Sequence, residues 1–228
     1  MSSSLAPVIA IDGPSGAGKG TVAARLAERL GWHLLDSGAV YRAAALHALD
    51  SRADLDNDAA VVAAFEGFSP RFEVGDDGVR VWLADAVGER EVTSQLRTER
   101  TADAASRVAA IPAVRAHLLE AQRSFRVLPG LIADGRDMGS VVFPDAVLKV
   151  FLTASVQERA RRRAKQLKEK GNSTTLAALV AELELRDARD ANRQHAPLAQ
   201  VSDALCIDSS GLGVDEVVQQ ITDVYERR

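Results

Sequence analysis

The chain has 228 residues, 46% of them hydrophobic and 26% charged, with a net charge of −4 and a single cysteine. That length suits one domain with room for an insert and a substantial core, and the mild acidity excludes a global pull toward nucleic acid or anionic membrane, leaving anions to local clusters. A lone cysteine excludes an internal disulfide, and the start at Met1–Pro7 has no basic segment and no apolar run long enough to span a bilayer, so a reducing cytoplasm without membrane attachment is expected.

The first predicted element is a buried strand over Val8–Asp12, and a helix is predicted over Lys19–Leu30. Between them, and running into the helix, Gly13-Pro14-Ser15-Gly16-Ala17-Gly18-Lys19-Gly20-Thr21 reads as a phosphate-binding loop. Glycines let successive backbone N–H groups turn inward on an anion, and the helix adds the positive end of its dipole. Lys19 then reaches the β- and γ-phosphates of a nucleoside triphosphate. A hydroxyl meets the accompanying Mg²⁺; the usual pattern puts it straight after the lysine, whereas here Gly20 stands there and Thr21 follows one place later. A glycine-rich turn that merely joins strand to helix is the plain alternative, disfavoured by the buried strand before it and the helix after it.

Gly31 suits a left-handed end to that helix. A strand over His33–Leu35 leads into Asp36-Ser37-Gly38-Ala39-Val40-Tyr41-Arg42, with a helix expected over Val40–Asp50. Phe68–Val74 and Val79–Leu83 then alternate around an Asp-Gly turn at Gly75–Gly78, with Ala84–Val92 as a third strand. Such an antiparallel meander is an insertion, either decoration or a small lobe that closes over an acceptor. Helices over Ser94–Ala109 and Pro112–Phe125 follow, Pro112 suiting a first turn.

The strand Leu131–Ala133 ends on Asp134-Gly135-Arg136-Asp137, three charges at one strand tip. After the strand Val147–Leu152, the helix Val156–Lys170 carries Arg159, Arg161, Arg162, Arg163 and Lys165. A nucleic-acid patch is one reading of this stretch, but it lacks aromatic residues for stacking. A lid that brings arginines such as Arg162 to the transferring phosphoryl group fits better. The helix Thr175–Asn192 sets Arg186, Asp190 and, one turn on, Arg193 on one face, either as a solvated ion pair or as anion ligands. The strand Ala204–Ile207, with Cys206 expected as a buried thiol, and the helix Val214–Arg227 close the chain. Strands alternating with helices predict an α/β fold whose parallel sheet is covered on both faces. Ligands of such sheets sit at the carboxyl ends of strands, so Arg42 and Arg136 point to an acceptor that is itself anionic. Asp36 and Asp134 are candidates for ordering the water shell of a metal, or equally for capping a neighbouring helix.

Taken together, Ile11–Thr21, Leu35–Arg42, Ile132–Gly139 and Arg186–Asp190 resemble the bacterial cytidylate kinase family, in the nucleoside monophosphate kinase group of P-loop kinases, and the likeness runs nearly end to end. The first block is shared with many P-loop kinases, whereas the second and third together are specific to the family. The resemblance implies a three-layer core with a parallel five-stranded sheet in the order 2-3-1-4-5, in a single kinase domain over 1–228. It also implies a small antiparallel β insert at about 65–100 as the monophosphate-binding lobe and a helical lid at about 153–172. The implied activity is ATP-dependent phosphorylation of CMP, and of dCMP, to the diphosphate, with Mg²⁺ carried by ATP and Thr21 as its ligand.

By position, ATP falls on Gly13 through Thr21. Ser37, Arg42, Arg136 and Arg193, with Tyr41 close by, fall around the CMP phosphate. Ser106, Arg115 and Asp137 fall at the cytosine edge, and Arg186 with Asp190 at the ribose. Lys19, Arg136, Arg162 and Arg193 are expected to act on the transferring phosphoryl group. Elementary chemistry supports part of this: Asp190 can accept from ribose hydroxyls, and Asp137 from an exocyclic amino group that uracil lacks. Ser106 and Arg115 rest on the resemblance alone. A kinase for AMP, UMP or shikimate would keep the loop and change the other clusters, and a GTPase would need an Asn/Thr-Lys-x-Asp element, which the chain lacks. With no heptad seam, a monomer that binds neither nucleic acid nor membrane is expected.

Overall fold

Five residues in succession, Val8–Asp12, form strand β1, and all five are buried, as a strand covered on both faces requires. The structure, a computed structural model, describes residues 5–65, 68–75, 78–85, 88–169, 171, 174–193 and 195–228. After β1 come α1 (Lys19–Leu30), β2 (His33–Asp36), α2 (Ser37–Asp50), α3 (Asp58–Ala64), β3 (Pro70–Gly75), β4 (Gly78–Asp85) and β5 (Gly88–Glu91). Then follow α4 (Thr93–Leu96), α5 (Glu99–Val108), α6 (Pro112–Arg123), β6 (Leu131–Gly135), one π-helical turn (Met138–Val142) and β7 (Leu148–Thr153). The chain ends with α7 (Val156–Glu169), α8 (Leu176–Ala191), β8 (Leu205–Asp208) and α9 (Val214–Glu226). No helix among the described residues is long and apolar enough to cross a membrane.

The chain divides into two units, one formed by the residues up to Leu35 with Phe125–Arg228, the other by Asp36–Ser124. The first unit holds a parallel five-stranded sheet in the order β2-β6-β1-β7-β8, which is 2-3-1-4-5 when the core strands alone are numbered. Its register sets Asp12 beside Gly135 on β6 and Phe151 on β7, so the loops that leave β1 and β6 start side by side. Val22, Ala23, Leu26 and Ala27 form the buried stripe of α1 and pack with Ile9, Ile11, Ile132, Leu148 and the α9 residues Val217 and Ile221. Each fully buried Leu or Ile stabilises this layer by roughly 1.5–3 kcal/mol. As expected, Gly31 ends α1 in the left-handed region at φ 64°, its N–H reaching back to the carbonyls of Ala27 and Glu28.

In the second unit, β3, β4 and β5 form an antiparallel sheet, with Phe72 opposite Val81 and Leu83 opposite Arg90. Alternation along β4 turns Val81 and Leu83 onto Ala43 and Leu46 of α2 and onto Val92 and Leu96. The expected meander is therefore present, although Asp76 and Asp77 of its Asp-Gly turn lie outside the described residues. Its third strand is shorter than expected because β4 itself runs to Asp85.

Two helix expectations differ from the structure, and one helix is new. Helix α2 starts at Ser37 rather than Val40, because the Asp36 side chain accepts from Ala39 N at 2.9 Å and caps it. The helix expected over Ser94–Ala109 is two, since Thr98 turns extended and caps a fresh start at Glu99. Helix α3, capped by Asn57, was not anticipated. Cys206 is exposed rather than buried: β8 is an edge strand, and Leu205 and Ile207, not Cys206, turn to the core.

Candidate active site

The loop after β1 is shaped by glycine where no other residue fits. A Cβ on Gly13 would lie 1.9 Å from the Leu152 carbonyl oxygen, and Gly18, at φ 93°, is the residue that turns the chain into α1. Lys19 follows with its side chain 6% exposed; Nζ donates to the Pro14 carbonyl at 3.0 Å and lies 3.8 Å from Asp134 Oδ1. Burial, reinforced by the Arg136 charge, pulls the ammonium down to about 8, while Asp134 and Asp12 oppose that pull. Thr21 is exposed on the first turn of α1, and Gly20 leaves room for Asp134, whose Oδ2 would stand 3.4 Å from a Cβ there.

Asp12, the last residue of β1, is buried, and its carboxylate accepts from Met138 N and Gly139 N, each at 2.8 Å. Burial pushes this carboxyl up from 3.8 to about 6, further raised by Asp137, while the two backbone donors and Lys19 restrain it.

Beyond β6, Arg136 Nε donates to Asp190 Oδ2 at 2.9 Å, and Arg193 pairs with the other oxygen of the same carboxylate. Asp190 is only 1% exposed. Burial alone would raise it, but Arg136, Arg193 and Arg186 hold the carboxyl below its ordinary range. The reading of Arg186 and Asp190 as a solvated surface pair is thereby overturned for Asp190. Arg193 stands just past the end of α8, whose C-cap is Asn192, yet it still meets Asp190. Asp137, 3% exposed, immediately precedes the π-helical turn.

Two arginines of the basic helix α7 hold carbonyls of the loop. Arg159 is buried, donates through Nη1 to the Ser15 carbonyl at 2.9 Å and forks onto Asp187 at 3.1 and 2.6 Å, tying loop, α7 and α8 together. Arg162 donates to the carbonyls of Ala17 at 3.3 Å and Ser209 at 2.6 Å and is held by Glu158 at 3.2 Å. Ser209 Oγ in turn contacts the same Ala17 carbonyl at 3.1 Å. These two arginines thus belong to the scaffold of the loop as well as to the helix.

In the second unit, Arg42 pairs with Asp36 at 2.9 Å, so Asp36 is both helix cap and arginine partner. Ser37 and Tyr41 are buried on the first turns of α2. The Arg115 guanidinium lies 5.5 Å from the centre of the Tyr41 ring and donates to the Ala109 carbonyl at 3.3 Å. Ser106 Oγ is buried and has no hydrogen-bond partner among the described residues, an unusual state for a hydroxyl that a solvated helix serine would not show.

Lys19, Arg136, Asp137, Arg162, Arg186, Asp190 and Arg193 are thus all in the first unit, and Ser37, Tyr41, Arg42, Ser106 and Arg115 in the second. Sequence reading missed Asp12, Glu158, Asp187 and Ser209. For Asp12 a signal existed, a carboxylate closing an otherwise apolar strand. For the others the partners lie across the fold. Among the described residues no cluster of three His, Cys, Asp or Glu could hold a metal alone. Thr21 on the first turn of α1 and Asp134 beside Lys19 put a hydroxyl and a carboxylate at the loop, oxygen ligands of the kind a magnesium ion takes.

Comparison with known proteins bears on this arrangement. The chain is 51% identical over 224 residues to the cytidylate kinase of Aeromonas salmonicida (strain A449), covering 98% of this chain and 96% of that one. It is 53% identical over 216 residues to the cytidylate kinase of Shigella sonnei (strain Ss046), covering 95% and 93%. A crystal structure of an uncharacterized protein from Eubacterium ventriosum, 13% identical, shares the fold at a TM-score of 0.50 over 97% of this chain and 99% of that one. The family model described as cytidylate kinase matches residues 9–227, and with relatives of such identity over nearly the whole length, the chain belongs to the cytidylate kinase family.

Proposed function

We propose that the chain transfers the γ-phosphoryl group of ATP to the phosphate of CMP, and of dCMP, forming the nucleoside diphosphate and ADP. The observation that carries this reading is the buried carboxylate of Asp190 shared by Arg136 and Arg193, in the same unit as the phosphate loop and Lys19. Two oriented guanidiniums held near a triphosphate loop are what a phosphate acceptor requires.

In this reading, a phosphate oxygen of CMP attacks the γ-phosphorus in line, that bond forms as the bond to the β-bridging oxygen breaks, and ADP departs with the electron pair. The acceptor oxygen is already ionised near neutral pH, so no strong base is needed. Lys19, Arg136, Arg193 and the α7 arginine Arg162 stabilise charge on the equatorial oxygens. The backbone amides of Gly13–Thr21 cradle the donor phosphates, and Thr21 would hold Mg²⁺, with Asp134 ordering its water. The ion, when bound, neutralises charge on the β- and γ-oxygens.

CMP contacts assigned to the first unit are Arg136 and Arg193 on the phosphate, Arg186 and Asp190 on the ribose, and Asp137 on the cytosine amino group. Those assigned to the second are Ser37, Tyr41 and Arg42 for the phosphate and Ser106 and Arg115 for the base. The buried hydroxyl of Ser106, without a hydrogen-bond partner among the described residues, supports its place there. The β3–β5 insert is the proposed monophosphate lobe, the stretch from about 153 to 172 the proposed lid, and the working form a cytoplasmic monomer. An acceptor panel of CMP, dCMP, UMP and AMP with ATP, with and without Mg²⁺, tests the reading. Diphosphate formed from CMP and dCMP only when Mg²⁺ is present is expected, and AMP as the preferred acceptor would overturn it.

A further inference from the structure

We infer that Asp12 is the positioning residue that locks the acceptor segment Arg136-Asp137 to the phosphate loop, and that it thereby enforces the choice of base. The inference rests on the reading of Asp137 as a cytosine contact. Met138 N and Gly139 N are the leading donors of a one-turn helix and have no partner within it. The Asp12 carboxylate takes one on each oxygen, at 2.8 Å, from a position 126 residues earlier in the chain. Both ends of the contact are buried, so the pair of charge-assisted bonds is made away from water.

The next residue after Asp12 is Gly13, where the loop begins, and the residue before Met138 is Asp137, with no slack on either side. Any shift of this carboxylate moves loop and acceptor segment relative to each other. Gly139 is part of the same device: a Cβ there would lie 3.1 Å from the Lys149 stem, tighter than ordinary contact, and 3.4 Å from Asp12 Oδ2, so a side chain crowds the carboxylate.

Asp12→Asn keeps one acceptor oxygen but turns an amide NH₂ onto the other N–H. Gly139→Ala disturbs the same contact from the opposite side while leaving the carboxylate in place. In both variants the preference for CMP over UMP in kcat/KM at saturating ATP is expected to fall about tenfold. A contact that only stabilises the fold would lower activity without changing that preference. Unchanged preference in both variants would overturn the inference. Should Asp12→Asn not fold, Gly139→Ala decides alone. Asp137→Ala separates the inference from the reading beneath it: preference kept in Asp137→Ala removes the base contact itself. Preference lost there but kept in Asp12→Asn and Gly139→Ala removes only the positioning role.

Discussion

Replacing Asp190 by Asn preserves shape and leaves no cavity, so what it removes is charge. In the wild type one carboxylate, 1% exposed, serves both Arg136 and Arg193, and the Arg193 side chain is itself only 6% exposed. Removing one partner of a buried ion pair leaves uncompensated charge and typically costs 3–5 kcal/mol; since Asn keeps one acceptor oxygen, the lower end, about 3 kcal/mol, is expected. For a chain of this size each kcal/mol moves Tm by roughly 2–4 °C, giving a drop of about 6–12 °C. The pH dependence has a definite sign. Although burial opposes it, the arginines hold the native carboxyl below its ordinary 3.8, so its contribution is complete above that value and is lost as pH falls through the native one. Urea unfolding followed from pH 7 downward should therefore show the gap between wild type and variant closing only below about pH 4. Equilibrium titrations should show CMP affinity falling at least about tenfold and ATP affinity changing less than about twofold. A Tm within about 2 °C of the wild type, or equal losses for both nucleotides, would refute the role of the Asp190 carboxylate shared by Arg136 and Arg193.

Three further outcomes are expected. Lys19→Met, which keeps an apolar stem in a buried site, should lower kcat at least about 100-fold while circular dichroism and cooperative unfolding remain native; near-normal CDP formation would remove Lys19 from catalysis. Gly13→Ala should cost more than about 3 kcal/mol in urea unfolding, because the new methyl group meets the Leu152 carbonyl and no rotamer relieves it; a loss under about 1 kcal/mol would mean the strand can shift. Asp12, raised from 3.8 to about 6, binds its proton more tightly when folded, so its contribution is full below 3.8 and is lost as pH rises through about 6, roughly 3 kcal/mol in all. The wild type should accordingly lose stability relative to Asp12→Asn between about pH 4 and pH 7, with Asp137 and Lys19 as the charged groups acting on it; a flat difference would contradict the burial of this carboxyl.

How far the sequence disclosed this protein depends on the range of the interaction concerned. β1 and α1 are legible to the residue, because an unbroken apolar run, a glycine turn and the Gly31 cap are local signals. The sheet order followed from the family resemblance, and the antiparallel insert from plain alternation along Val79–Leu83. Helix starts at Ser37 and Glu99 were blurred because Asp36 and Thr98 cap through side-chain geometry that many Asp and Thr residues never adopt. Cys206 misled because an apolar run does not reveal which of its residues face the core of an edge strand. The arginines were legible as a set, but their partners were not: Asp12 meets Gly139 across 127 residues and Ser209 meets Ala17 across 192, distances over which no local pattern carries information. The resemblance sets Asp190 at the sugar, whereas its grip on the guanidiniums of Arg136 and Arg193 shows only in three dimensions.

The most direct measurement is a competition in one vessel: equimolar CMP, UMP and AMP with limiting Mg·ATP, the products separated and identified by mass. CDP as the first and dominant diphosphate, formed in step with ADP, is the predicted result. UDP appearing at the same rate as CDP, or added AMP being phosphorylated ahead of both, would contradict it.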